Sequence, residues 1–386
     1  MRIIIIGGAG DMGSVACAAT VTDPAITSVV IADRDQARAE ALADRLGAKA
    51  SAMALDITDR DALVSAIGGA DAVLNTVGPF YLYGRPVLEA ALEAGKHYVD
   101  IADDWEPTID MLELDDDARA RGVTAIVGIG ASPGLSNLLA AVAHDQLDTV
   151  DKLYTAWRGG SGIPRPPDNP EDVKPAAAID HWIHNLAEPI RVWRNGEFQS
   201  ADALEELVLD YPGIGPGTVW TCGHPEPITL PRYFPKITES LNVMFSRPGL
   251  IDAARRVRDR VRSGELTVPE ASKELVLNPS RRGPAAGPVP DFPGVFAYAE
   301  GTKGGEPARV AVSTNYMPEG EMGEATAIPM AIAVGMLARG EITTTGVLGP
   351  EGCIDPIAFF DRLAPYAGER SALAPLDIRL EVAPCP

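Results

Sequence analysis

The chain has 386 residues, 46% of them hydrophobic, and a formal charge of −21. That composition fits a folded protein of about two or three domains and excludes wholesale disorder, collagen-like and coiled-coil classes. Such an acidic surface repels phosphate polymers and anionic lipid, so neither nucleic acid nor membrane is expected as a partner. No run of about 18 apolar residues is present, and MRIIIIGGAG does not read as a secretory leader, so a cytoplasmic location is expected. Cys17, Cys222, Cys353 and Cys385 form no CxxC pair, and the histidines show no metal-ligand spacing, so no disulfide framework and no metal are expected.

Strand and helix patterns alternate over the first 130 residues or so. Ile3–Ile6 is a continuous apolar run suited to a central parallel strand, followed by a helix over Met12–Thr22. Val29–Ala32 is a strand ending at Asp33, and Gln36–Leu46 a helix. Ala52–Leu55 is a third strand, and Thr58–Ile67 a helix capped at Thr58 or Asp59. Ala72–Val77 is a fourth strand; Pro86–Ala94 is a helix with proline near its start and Gly95 past its end. Tyr98–Ile101 and Thr124–Val127 are fifth and sixth strands around a helix near Met111–Arg121. Six strands with helical crossovers predict a doubly wound parallel sheet, an α/β fold of Rossmann type.

From Ser132 the pattern changes to that of a second, α+β domain. A helix starts near Leu135, Lys152–Trp157 reads as a strand, and the region 215–235 shows no clear period. Asp252–Arg262 and Pro269–Val276 read as a helix pair forming an exposed excursion or lid. Val295–Glu300 and Arg309–Met317 flank Gly304-Gly305 as a β-hairpin. Ala325–Leu337 is an apolar helix, and Ile378, Leu380 and Val382 mark a last short strand. The expected division is a first domain over 1–131, a second over 132–324, and a C-terminal segment over 325–386.

Gly8-Ala9-Gly10-Asp11-Met12-Gly13 is a GxGxxG that follows a buried strand and opens a helix. Gly8 is expected to permit the turn, Gly10 the approach of a pyrophosphate, and Gly13 close helix–strand packing. The helix N-terminus, with Asp11 and Met12 in its first turn, presents free amides and a positive dipole end to phosphate. Backbone donors of this kind allow a very acidic protein to bind an anionic dinucleotide. Asp33, 20 residues past Gly13, is placed to accept bonds from a ribose 2′-OH, which favours NAD. Arg34 next to it can bind a 2′-phosphate, so NADP stays open. Asp56 ends the third strand as an adenine contact, and Asn75-Thr76-Val77-Gly78-Pro79-Phe80 ends the fourth beside the ribose and nicotinamide. Asn75, Ser132 and Asn137 suit turn formation and capping equally well.

IIIIGGAGDMGS, VVIADRD, NTVGPF, GKHYVDIADD, GVTAIVGIGASPGLSN, GHPEPITLPR and ATAIPMAIAVGMLARGEITTTGVLGPE span the chain. In this order they resemble the saccharopine dehydrogenase-like oxidoreductases, a family that includes lysine 6-dehydrogenases and amine-forming reductases. The resemblance implies a dinucleotide-binding Rossmann domain over 1–131, a second α+β domain over 132–324 with the substrate cleft and a homodimer interface, a segment over 325–386 that returns to the nucleotide domain, and reversible hydride transfer between a nicotinamide and a C–N bond. The substrate it implies is an amine, an amino acid or an imine. It also implies cofactor roles for Gly8, Gly10, Gly13, Asp33, Asn75, Gly78, Pro79 and Asp100, and places the Ser132-Pro133-Gly134 loop against nicotinamide and substrate. ADRD differs from the A-S-R pattern of NADP-using members, which supports NAD.

A carboxylate beside a cationic imine stabilises it, and Asp100, Asp103 and Glu226 are candidates. His224 is a candidate acid or base, and Arg232 a clamp for a substrate carboxylate, ahead of Arg85 and Arg165. Each has a bland reading as a solvated loop residue or surface pair. Two other functions compete: a carbonyl or enoyl reductase on the same scaffold, and a nicotinamide-binding sensor without turnover. Tyr81, Tyr83, Tyr98 and Tyr154 all lack a lysine four residues on, which disfavours the short-chain alcohol route.

Overall fold

The computed structural model describes residues 1–160, 163, 166, 167, 169–173, 177–279 and 291–383. Arg165 and Cys385 lie outside the described residues. The chain forms two compact units, Met1–Val142 with Thr314–Asp377, and Ala143–Ser313 with the residues from Ile378 onward. The breaks thus fall at 142/143 and 313/314, not at 131/132 and 324/325.

In the first unit β1 (Arg2–Ile6), α1 (Asp11–Thr22), β2 (Ser28–Asp33), α2 (Gln36–Leu46), β3 (Ala50–Ala54), α3 (Arg60–Gly68), β4 (Ala72–Asn75), α4 (Phe80–Glu93), β5 (His97–Asp100), α5 (Trp105–Leu112), α6 (Asp115–Ala120) and β6 (Thr124–Ile126) follow one another, and α7 (Leu135–Asp145) leads out. Ile3, Ile4, Ile5 and Ile6 are buried because β1 is central, with β2 and β4 parallel on its two sides. Strand order reverses between β1 and β4, and ligands of such sheets bind at that reversal, beyond the carboxyl ends. The helix expected over Pro86–Ala94 starts at Phe80, with Pro86 inside it. Two prolines compete as start signals here. Pro79, extended, is the cap, and Pro86 costs the helix one ladder bond further on. One helix expected near Met111–Arg121 is two, α5 and α6.

The second unit holds β7 (Thr149–Arg158), α8 (Ala177–Ala187), β8 (Ile190–Arg194), β9 (Glu197–Ala201), β10 (Glu206–Tyr211), β11 (Gly215–Cys222), α9 (Glu226–Tyr233), β12 (Glu239–Phe245), α10 (Pro248–Arg262), α11 (Val268–Leu277), β13 (Val295–Lys303) and β14 (Glu306–Thr314). β7 lies beside β12 in parallel and β13 in antiparallel register, and β8 and β9 form a hairpin against β12. Gly304 and Gly305, both at positive φ, turn the β13–β14 hairpin. α10 and α11 are not an exposed excursion. They pack with α8, and Ile251, Ala254, Val257, Ala271 and Leu275 join one core with Phe245 and Phe296. α10 begins at Pro248, so Leu250 and Ile251 complete an apolar stripe that a start at Asp252 cuts off.

The chain then returns to the first unit with α12 (Met322–Ala338), β15 (Gly346–Leu348) and α13 (Pro356–Leu363), and ends on β16 (Leu376–Val382). α12 is buried on every side from Ala327 to Leu337, which explains its lack of a polar face, and it packs on α1. β15 adds a seventh parallel strand, giving the order β15-β6-β5-β4-β1-β2-β3. β16 is the edge neighbour of β14 in the other sheet. Among the described residues no helix is long and apolar enough to cross a membrane.

Candidate active site

β1 stops at Ile6 and the chain turns at Gly7, whose φ of +75° side chains rarely adopt. The expected turn glycine was Gly8. The left-handed angle belongs to Gly7, and Gly8 is small for another reason: a Cβ there would sit 2.9 Å from Ile31 Cγ2 and 3.0 Å from Ile5 O. At Gly13 a Cβ would fall 2.1 Å from Gly7 O, so α1 can approach the turn only without a side chain. Gly10 is different. A Cβ there would meet Gly7 O alone, at 3.2 Å, and is otherwise open. The Gly7 and Gly8 amides donate to Ala32 O, and Gly10 caps α1 with no side-chain acceptor for its first amides. A cradle of this shape, at a positive helix end, fits a diphosphate.

Asp33 ends β2 beside that cradle. Its Oδ2 accepts the Ala9 amide at 3.0 Å and its Oδ1 the Asp35 amide at 3.0 Å, so it ties the glycine loop to β2. Arg34 is exposed beside it. Asp56, exposed past β3, accepts Thr58 N and Thr58 Oγ1, which hold its carboxyl below the usual range, and the Arg34 charge pulls the same way. Thr76 Oγ1 donates to Ile6 O at 2.9 Å, joining the β4 turn to the cradle, while Gly78 and Pro79 lie exposed at that turn.

Asn75 and Asp100 are fully buried. Asn75 Oδ1 accepts the Val77 amide, and Asn75 Nδ2 donates to Tyr98 Oη. Asp100 accepts from Tyr98 Oη at 2.8 Å, the Ala102 amide at 3.0 Å and the Gly128 amide at 2.7 Å. Burial pushes its carboxyl up to about 6 against these donors, and the Asp103 charge adds to the rise. Asp100 therefore points into the protein, not toward a substrate as expected. Asp103 is half-buried. In the loop after β6, Gly130 N donates to Pro133 O and Gly134 N to Asn137 Oδ1, and a Cβ on Gly134 would overlap Gly130 O. Pro133 and Gly134 are buried and Ser132 is half-buried. Asn137 thus holds a backbone amide at the start of α7, and its Nδ2 donates to Glu351 Oε2.

A second polar cluster lies wholly within the second unit. Glu226, in the first turn of α9, is fully buried, and its Oε1 accepts Asn242 Nδ2 at 2.9 Å. The same Asn242 nitrogen donates to Thr155 Oγ1 at 3.0 Å, and Asn242 Oδ1 accepts Trp157 Nε1 at 3.0 Å. His224 Nδ1 is 3.9 Å from Glu226 Oε2, and the imidazole stacks on Trp157 with centroids 5.2 Å apart. The region 215–235, which shows no clear period in the sequence, thus carries β11, α9 and three expected site residues, His224, Glu226 and Arg232. Its buried residues include Thr221, Glu226 and Thr229, so no hydropathy period could appear.

Arg232 is exposed in the last turn of α9, its Cα roughly 9 Å along the axis from that of Glu226. Arg85 pairs with Glu89 and Glu113 at 2.9 Å each, a surface network. Trp182 is core. Sequence reasoning missed Tyr98, Thr155 and Asn242 as polar partners. The one signal was a lone Asn inside the apolar LNVMF of β12.

Residues 3–126 match the family model described as the saccharopine dehydrogenase NADP binding domain. Carboxyaminopropylagmatine dehydrogenase of Synechocystis is 24% identical over 94% of this chain and 95% of its own length. A saccharopine dehydrogenase (NADP+, L-glutamate-forming) of Pyricularia oryzae is 27% identical over 32% of this chain and 27% of its own. Among solved structures, apo saccharopine dehydrogenase (L-Glu forming) from Saccharomyces cerevisiae superposes with a TM-score of 0.64 at 16% identity, covering 98% of this chain and 99% of that one. Residues 3–126 therefore match the saccharopine dehydrogenase NADP binding domain, and the whole chain has the saccharopine dehydrogenase fold.

Proposed function

We propose that the protein transfers hydride to or from a C–N bond, as an amino-acid or amine dehydrogenase or as an imine reductase. The observation that carries this reading is the uncapped glycine cradle at α1 with Asp33 bound beside it. The amides of Asp11 and Met12 would hold the diphosphate, and Asp33 the adenosine ribose. The exposed Gly78-Pro79 turn and the Ser132–Gly134 loop would flank the nicotinamide, which when bound supplies or takes the hydride. NAD is the proposed form, because the Asp33 carboxylate would repel a 2′-phosphate. Exposed Arg34 and the description of the matched domain favour NADP as a second reading.

An iminium carbon is already electrophilic, so the chain's task is mainly to orient it. Of the three carboxylates expected beside the cation, half-buried Asp103 suits facing it, whereas Asp100 braces the loops and Glu226 lies buried in the second unit. In the second unit the stacked imidazole of His224 next to buried Glu226 suits moving a proton. The name carboxyaminopropylagmatine dehydrogenase, borne by a relative that aligns over nearly the whole chain, supports a substrate with amino and carboxyl groups. The exposed apolar side chains Ile378, Leu380 and Val382 on edge strand β16 support a homodimer. Absorbance at the reduced-nicotinamide band tests the reading across amines, amino acids and alcohols, with NAD and NADP tried separately. Turnover with an amine or amino acid and none with alcohols is expected. Binding of either dinucleotide with no turnover on any of them contradicts the hydride-transfer reading.

A further inference from the structure

Three loops leave the carboxyl ends of β4, β5 and β6, and one buried chain of side chains ties them together. The Val77 amide donates to Asn75 Oδ1 at 3.0 Å, Asn75 Nδ2 to Tyr98 Oη at 3.1 Å, and Tyr98 Oη to Asp100 Oδ2 at 2.8 Å. The Gly128 and Ala102 amides then donate to Asp100 Oδ1. Asn75, Tyr98 and Asp100 are all 0% exposed.

The direction of every bond is fixed from both ends. The Val77 N–H demands the amide oxygen of Asn75, so the Asn75 NH2 faces Tyr98. Tyr98 then accepts one bond and must give its own proton onward. The Gly128 and Ala102 N–H groups also demand an acceptor. A chain bounded by donors on both sides closes only around a group that accepts and does not donate, and the ionised Asp100 carboxylate is that group. The groups that act on Asp100 are these two amides, Tyr98 and the Asp103 carboxylate, which opposes its charge. Among the described residues no cation contributes to Asp100, and the hydrogen bonds favour the anion. The chain also reaches the next loop turn: Gly128, at φ +74°, lies against Pro133, and a Cβ there would be 2.8 Å from Pro133 Cγ. Holding the Gly128 amide therefore holds Pro133.

We propose that Tyr98, acting through Asn75 and Asp100, is a positioning residue that locks the loops after β4, β5 and β6 into a single rim for the dinucleotide. The ligand half of this statement rests on the function proposed above; the locking half does not. Hydrogen–deuterium exchange on the free full-length chain, compared with Tyr98→Phe, separates the two. Phenylalanine keeps the ring and removes both bonds. Exchange is expected to rise about fivefold or more in 76–80, 101–104 and 127–134 together, with β1 and β2 unchanged. The Kd for NADH and NADPH should weaken by about tenfold. Asp100→Asn, which puts a donor toward Tyr98, should loosen the same three loops if Tyr98→Phe does not fold. Faster exchange in the β5 loop alone, or spread evenly over the unit, overturns the lock. Loosened loops with unchanged dinucleotide affinity overturn the positioning role. If the unaltered protein binds neither dinucleotide, the proposed function falls, and the exchange pattern still decides the lock.

Discussion

Each unit buries a carboxylate completely, and the two are held in different ways. Asp100 is held by two backbone amides and a tyrosine two residues away on its own strand. Glu226 is held by Asn242, which is itself fixed by Thr155 and Trp157, residues 87 and 85 positions away in the chain. The first arrangement is built from neighbouring strand ends and belongs to the sheet. The second exists only once β7, β12 and α9 have assembled. Asp100 keeps two backbone donors whatever side chains surround it, whereas the Glu226 arrangement depends on side chains brought from distant parts of the chain.

The largest expected effect follows from that contrast. Asn242→Leu keeps the volume but removes the donor to Glu226 and the acceptor of Trp157. It should cost about 3 kcal/mol or more in chemical denaturation. A loss under about 1 kcal/mol would show that the Glu226 cluster does not depend on it.

The next effect concerns Asp100 and is visible in pH. Its carboxyl, at about 6 in the folded protein, lies above the unfolded value of 3.8, so the folded state holds the proton more tightly. Asp100 therefore lowers stability as pH rises from about 4 to above 6, by roughly 2–3 kcal/mol in all. Asp100→Asn lacks this titration. Its stability relative to the unaltered protein should improve by that amount between pH 4 and pH 7. A difference that is flat with pH would contradict the upward shift that burial gives the Asp100 carboxyl.

The smallest effect is Thr155→Val, which removes one neutral hydroxyl from the Asn242 network. It should cost about 1 kcal/mol, well below Asn242→Leu. Equal losses would mean that the network fails as a unit.

The same contrast explains what could be read in the amino-acid sequence. The glycine cradle, Asp33 and the alternation of strand and helix are local patterns, and the six expected strands of the parallel sheet all form. Within that region the errors are local too: Gly7 turns where Gly8 was expected, and Pro79 rather than Pro86 opens α4. In the second unit the short strands β8, β9 and β10 carry no clean alternation, and Glu226, Thr229 and Asn242 are polar yet buried. Hydropathy cannot place a polar residue inside when its partner is tens of residues away. His224 and Glu226 were singled out as chemistry-bearing residues, but Asn242 and Thr155, which organise them, were not. Tyr98 was passed over because its role is a pair of hydrogen bonds to Asn75 and Asp100, and no motif spells that out.

The central claim is that backbone amides at the α1 cradle and the Asp33 carboxylate receive a nicotinamide dinucleotide. Calorimetric titration of the full chain with NADH and with NADPH, repeated on Asp33→Ala, tests it most directly. Binding with a preference for NADH that shrinks on Asp33→Ala is the predicted result. An absence of heat with both dinucleotides would contradict the claim, and an unchanged preference would contradict the role of Asp33.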